Sequence, residues 1–158
     1  MRDSRLSYPE VMLKRYRFWL VLAIVFLFLT ALVHASAFLL EPAPQNETER
    51  QLFELMTSYK QDFGAGFKRS TKELVTALSS CFSLVSLLGG LTLTYLVRKR
   101  AAPGLLKGVV AIHAAVFGVC FAIMVAFTFL PPIILTGLIF ICLLISFALM
   151  PRQVAANP

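Results

Sequence analysis

The chain has 158 residues, 58% of them hydrophobic and only 15% charged, with a formal net charge of +7. A soluble domain usually carries about a quarter charged residues, and a core of this size cannot enclose so many apolar side chains, so some must face lipid. The composition excludes an ordinary soluble globular domain. The basic balance is expected to mark membrane topology and to touch anionic lipid headgroups on the cytoplasmic side, and no nucleic-acid partner is expected.

The N-terminal stretch holds Arg2, Arg5, Lys14, Arg15 and Arg17 against Asp3 and Glu10, and it leads into a charge-free run over residues 18–40. A helix needs about 20 apolar residues to cross the hydrocarbon layer, so 18–40 is the first predicted span. Tyr16, Phe18 and Trp19 at its start suit an interfacial aromatic belt. The run contains His34 and then Ala35-Ser36-Ala37, which fits the small-residue pattern of a signal-peptidase site behind a basic leader. The apolar stretch before that site is longer than a leader's usual core, and Phe38-Leu39-Leu40 continues it, so an uncut signal anchor is expected.

The segment 41–73 carries six acidic and five basic residues. Asn46 followed by Glu49 is a helix-start signature. Leu52, Leu55, Met56, Tyr59 and Phe63 then recur at helical spacing, with Gly64 as the stop. This predicts a short amphipathic helix on the outer membrane surface or capping the helices. Asn46-Glu47-Thr48 matches a glycosylation acceptor, a pattern common by chance. Gly64-Ala65-Gly66 is too short for a phosphate loop and is expected to be a flexible joint. Ser70 and Glu73 repeat the start signal ahead of a second span over 74–97, with Tyr95 at its inner end.

Thr76, Ser79, Ser83, Ser86, Gly90 and Thr94 lie along one side of that span. Arg98, Lys99, Arg100 and Lys107 follow it. The next charge-free run, 108–151, has 44 residues. As one helix it would be roughly 66 Å long, twice a bilayer. Pro131-Pro132 supplies a break, since neither can donate a backbone hydrogen bond. Spans over 105–130 and 132–150 joined by a tight hairpin are therefore expected, with Arg152 after the last. Gly108, Ala111, Ala115, Gly118 and Ala122 form a second stripe of small residues, along span three. Such stripes let membrane helices approach closely. Together with Ser86 and Gly90 they predict a packing seam between spans two and three, or else a polar ligand pathway along span two.

The expected fold is all-α: a polytopic membrane protein, an antiparallel four-helix transmembrane bundle with a short amphipathic helix in the outer loop, in a single domain over 1–158. The basic side totals +8 and the 41–73 segment −1. The positive-inside rule then puts both termini in the cytoplasm.

The spans hold two histidines, His34 and His113, and ionisable side chains inside a membrane are functional candidates. Two histidines on different helices suggest a b-type haem. Counting along the helices, however, separates them by about 15 Å along the membrane normal, and no span holds a carboxylate to complete a metal site. No metal or cofactor is expected. Thr30, Ser79 and Ser83 fall at the depth of His34, so Thr30, His34, Ser79 and Ser83 form the candidate ligand-binding cluster, or simply a neutral histidine tying two helices. No acid is in reach to activate a serine, so no catalytic residue is assigned. His113 matches the depth of Gly89, Gly90 and Cys142 and is expected to bond a backbone carbonyl beside the glycines. Cys81, Cys120 and Cys142 fall one in each of spans two to four. They offer the outer segment no disulfide and are expected to be small buried apolar groups.

His34 near the outer end of span one, the stretch MTSYKQDFGAGFKRS from Met56, and FLPP at 129–132 give the chain a layout that resembles a family of small uncharacterised bacterial four-helix inner-membrane proteins. The resemblance implies a four-span fold in a bacterial inner membrane and lends no activity. The outer segment lacks the paired cysteines and Trp-containing motif of claudin-like four-span proteins. The expected role is non-enzymatic, a subunit or accessory scaffold acting through a membrane-protein partner or a second copy of itself. The alternative is a binder of a lipid or quinone-like ligand beside His34, and an enzyme ranks last.

Overall fold

The structure is a computed structural model that describes residues 8–36 and 43–151, with side chains from Arg15 onward. The expected continuation of span one through 38–40, Ala37 of the small-residue site, Arg2, Asp3, Arg5 and Arg152, and the side chains of Glu10 and Lys14, lie outside the described residues. The fold is all-α. The elements are α1 (Tyr8–Ser36), α2 (Glu47–Ser58), β1 (Lys60–Asp62), β2 (Lys68–Ser70), α3 (Thr71–Arg98), α4 (Pro103–Phe127) and α5 (Leu130–Leu149). Among the described residues, four stretches are long and apolar enough to cross a membrane: Arg15–Ser36 of α1 and the whole of α3, α4 and α5. Leu78, Leu84, Leu88, Ile112, Val119 and Phe127 are exposed along them, a distribution that only an apolar solvent accommodates.

The break between the third and fourth spans falls slightly ahead of the position expected from the prolines. Helix α4 ends at Phe127, where both the N–H and the Oγ1 of Thr128 donate to the Met124 carbonyl, at 3.0 and 2.7 Å. Thr128 and Phe129 are the two extended residues between the helices. Pro131 and Pro132 do not break a helix; they lie in the first turn of α5. First-turn N–H groups have no acceptor within their own helix, so proline gives up nothing there.

The chain divides between residues 30 and 31 and between 85 and 86 into two compact units. In the unit that holds α4 and α5, the core is built from Leu20, Ala23 and Leu27 of α1, Leu93 of α3, Val110 and Phe117 of α4, and Ile139 and Leu143 of α5. Those of α1 and α5 recur at spacings of three and four, an inward stripe on each of these two helices.

The small-residue seam expected between spans two and three is not formed. The closest helix pair is α4 with α5. A Cβ on Gly118 would stand 2.9 Å from the Phe140 ring, and one on Gly137 would stand 3.0 Å from the Phe121 ring. Each helix thus lends a glycine notch to the other's phenylalanine, and the two rings stack 6.3 Å apart. Gly90 meets Phe28 of α1, 3.2 Å from where its Cβ would be. The contact between α3 and α4 is made by Gly89 against the His113 ring instead. Ser83, Ser86 and Gly90 are buried on α3, but Gly108, Ala115 and Ala122 are exposed on α4 and Ala111 only half-buried. The inward face of α4 is Leu106, Val110, Ala114 and Phe117, rotated about one position from the stripe. A small residue permits close approach without specifying the partner.

In the other unit, α2 stops at Ser58 instead of Gly64, because Tyr59 turns extended and donates its N–H to the Leu55 carbonyl. Tyr59 and Phe63 are therefore not on the helix. Lys60–Asp62 pairs antiparallel with Lys68–Ser70. The expected flexible joint is the turn of this hairpin: Gly64, Ala65 and Gly66 all adopt positive φ, and Asp62 Oδ1 accepts from the Gly64 N–H at 2.8 Å. Aspartate followed by glycines is what such a turn needs.

Candidate functional site

His34 meets span two through an aromatic ring. Its imidazole lies edge-on to Phe82, centroids 4.8 Å apart at 67°. Phe82 had no sequence signal beyond sitting between Ser79 and Ser83. The Ser83 hydroxyl donates along its own helix to the Ser79 carbonyl at 3.1 Å, so this hydroxyl is spent locally. Thr30 is 1% exposed, and its hydroxyl has no hydrogen-bond partner among the described residues. Within the unit that holds His34, Ser79 and Ser83, no hydrogen bond among the described residues joins the His34 ring to either serine. Ser86, placed on the packing stripe, is fully buried with its hydroxyl likewise unpartnered.

His113 bonds a carbonyl on its own helix: Nδ1 lies 2.8 Å from the Val109 oxygen, not at a carbonyl beside Gly89. Its ring edge fills the space that Gly89 leaves, 3.4 Å from where a Cβ would stand. Of the cysteines, Cys142 is buried but Cys81 is exposed on α3, which corrects the expectation that all three are interior. Among the described residues, no three His, Cys, Asp or Glu side chains converge as metal ligands.

Two ties escaped sequence reasoning. Ser146 Oγ donates to the Tyr16 carbonyl at 3.2 Å, joining α5 to α1. Lys107 Nζ donates to the Met150 carbonyl at 2.9 Å and lies over the Phe147 ring at 5.1 Å. A lysine at a helix C-terminus satisfies free carbonyls and the helix dipole, but this one comes from a different helix, which spacing along the chain does not reveal.

The most built-up feature outside the spans is α2. Asn46 Oδ1 accepts from the Glu49 N–H at 2.9 Å while Glu49 Oε2 accepts from the Gln45 N–H at 2.7 Å, a reciprocal cap on two free donors. Arg50 bridges Glu47 at 2.6 Å and Glu54 at 2.7 Å, and its guanidinium holds the Glu47 carboxyl below the ordinary carboxylate value, with Gln51 adding to the effect. Ser70 and Glu73 form the matching capping box at the start of α3, at 2.7 and 3.2 Å. Lys72 Nζ lies 4.8 Å over the Phe53 ring, linking α3 to α2. Yet α2 buries no residue: Leu52, Phe53 and Leu55 are exposed. Pro44, Glu49, Leu52, Phe53 and Met56 line a shallow, mainly apolar cleft of about 210 Å³ along it.

No protein-family model, curated protein or solved structure matches the chain.

Proposed function

We propose that the chain is a small integral membrane protein without a catalytic role, an accessory or scaffold subunit that engages a partner through α2. The observation that carries this is the contrast within α2: a helix capped at its start and braced by Arg50 on two carboxylates, with its apolar side left open. Twelve residues are too few to hold a helix in water unaided, so an apolar face kept in order is a surface for something else. Glu47, Glu49 and Glu54 against Arg50 leave its flanks acidic. The partner is a membrane protein presenting an apolar ridge edged with basic side chains. A photo-crosslinking residue at Leu52 or Leu55, in the protein's own membrane, is expected to capture one discrete protein. Adducts with lipid alone would sink the reading.

The same proposal places both termini in the cytoplasm of a bacterial inner membrane and α2 on the far side. The bias of +8 against −1 supports this, as does the resemblance to small inner-membrane proteins. Cysteines introduced at 43–70 are expected to react with an impermeant reagent in intact cells and those at 99–103 to stay protected. Labelling at 99–103 overturns the orientation.

A second reading, a binder of a lipid or quinone-like molecule beside His34, draws on one observation: the His34 ring nitrogens hold no hydrogen bond among the described residues. A hydrophobic ligand that co-purifies with the protein and is lost in His34→Leu, with stability unchanged, would favour it over the scaffold.

A further inference from the structure

A second cleft, of about 200 Å³, opens where the first candidate span begins within α1, α3 ends and α4 begins. Leu20, Leu96 and Leu106 form its apolar floor, and Arg17 and Arg100 belong to its lining. Both arginines stand at the ends of apolar helices, Arg17 at the start of the first candidate span and Arg100 just past α3. Neither is neutralised among the described residues: no ion pair there reaches either arginine, and every carboxylate with a described side chain lies within 47–73.

Arg100 is also where a side chain is least expected. Helix α3 closes with the Ala101 N–H donating to the Leu96 carbonyl at 3.0 Å and the Arg100 N–H to the Val97 carbonyl at 3.2 Å. This paired closure places its penultimate residue in the left-handed region, and Arg100 has φ +50°. Glycine is the usual occupant of such a position, because any Cβ there crowds the backbone. An unpaired guanidinium therefore sits at a cleft in a conformation that opposes it, and a ligand for that guanidinium supplies the reason.

We propose that this cleft is a binding site for one anionic phospholipid, with Arg17 and Arg100 holding the phosphate and the first acyl methylenes lying over Leu96 and Leu106. Guanidinium forks match phosphate oxygens two at a time, and basic clefts between membrane helices at headgroup level are where such lipids bind. The apolar floor selects an amphiphile over a free anion. This inference is independent of the partner surface on α2.

The test is native mass spectrometry of the full chain in detergent, titrated with phosphatidylglycerol or with phosphatidylcholine of the same acyl chains. One phosphatidylglycerol per chain is expected to be retained with at least about tenfold preference, an ordinary yield for two charge-assisted contacts. Arg17→Gln with Arg100→Gln is expected to lose that preference, whereas Arg98→Gln with Lys99→Gln, an equal loss of charge, keeps it. Arg100→Gly is expected to weaken retention while the melting temperature holds or rises, since glycine relieves the left-handed residue. Equal loss in the two charge-matched pairs would reduce the effect to general attraction and overturn the site. Displacement of the lipid by millimolar inorganic phosphate would overturn the lipid assignment in favour of a free-anion site.

Discussion

Ser146 of α5 donates its hydroxyl to the main-chain carbonyl of Tyr16 on α1, 3.2 Å away and 130 residues back along the chain. Ser86 of α3 is as deeply buried, and its hydroxyl has no partner among the described residues. The two serines have the same chemistry and opposite circumstances. A hydrogen bond between membrane helices contributes about 0.6 to 1 kcal/mol, whereas an unsatisfied buried hydroxyl is a cost that alanine removes. Ser146→Ala is therefore expected to destabilise by about that amount. Ser86→Ala is expected to be neutral or slightly stabilising. Thermal unfolding of the two variants in one detergent checks the difference in sign, and a loss at Ser86 equal to that at Ser146 would show that Ser86 holds a partner.

The glycines divide in the same way. A methyl group at Gly118 or Gly137 must displace a stacked phenylalanine, since its position is 2.9 or 3.0 Å from the opposing ring, while a methyl at Gly108 meets nothing within 4 Å. Overpacking of this kind costs about 1 to 3 kcal/mol. Gly118→Ala and Gly137→Ala are expected to fall in that range, and Gly108→Ala to be neutral or to gain up to about 1 kcal/mol from helix propensity. Tolerance of Gly118→Ala at unchanged melting temperature would mean that α4 and α5 are not held ring against notch.

How far the sequence can be read follows the range of each signal. The four spans were legible because charge exclusion acts on every residue of a run, and the starts of α2 and α3 because Asn46, Glu49, Ser70 and Glu73 act within one turn. The end of α2 was not, because Tyr59 and Phe63 keep helical spacing into a hairpin whose turn is dictated by Asp62 and the two glycines. Pro131 and Pro132 marked the right place but the wrong role, since the same ring that ends one helix can open the next. Partner identity was the least legible. Spacing marked Gly90 and Gly118 as sites of close approach, but Phe28 and Phe140 are named only by the fold. The candidate cluster was legible only as a shared depth of Ser79, Ser83 and His34: that the Ser83 hydroxyl donates to its own helix and that His34 lies edge-on to Phe82 are given only by the fold.

On α2, acidity should act first at the N-terminal turn. Arg50 and then Gln51 keep Glu47 ionised below its ordinary value of 4.5. A depressed pKa in the folded state means a contribution that is complete above the unfolded value and lost as pH falls through the folded one. Amide exchange over residues 48–52 is therefore expected to be independent of pH-linked fraying from neutrality down to 4.5, and the turn to loosen only below it. Glu47→Gln is expected to abolish that acid step. Protection that begins to fall near pH 6 would point to a group other than Glu47.

His34 offers the sharpest contrast between a structural ring and a polar tie. Its contact is edge-to-face with Phe82 at 4.8 Å, and such pairs contribute about 0.5 to 1.5 kcal/mol beyond area burial. His34→Phe keeps the ring and is expected to leave stability within about 0.5 kcal/mol of wild type, the margin typical of substitutions that break no defined interaction. His34→Leu and His34→Gln both remove it and are each expected to cost about 1 kcal/mol. A hydrogen-bonding tie reverses the order, because glutamine retains a donor and an acceptor while phenylalanine has neither. Unfolding of the three variants in one detergent therefore separates the two roles by rank alone. Glutamine more stable than phenylalanine would remove the ring contact as the function of His34 and restore the polar cluster with Ser79 and Ser83. Unchanged stability in all three, with loss of whatever the protein does in the cell, would instead assign the histidine to proton handling, since none of the replacements titrates near neutral pH.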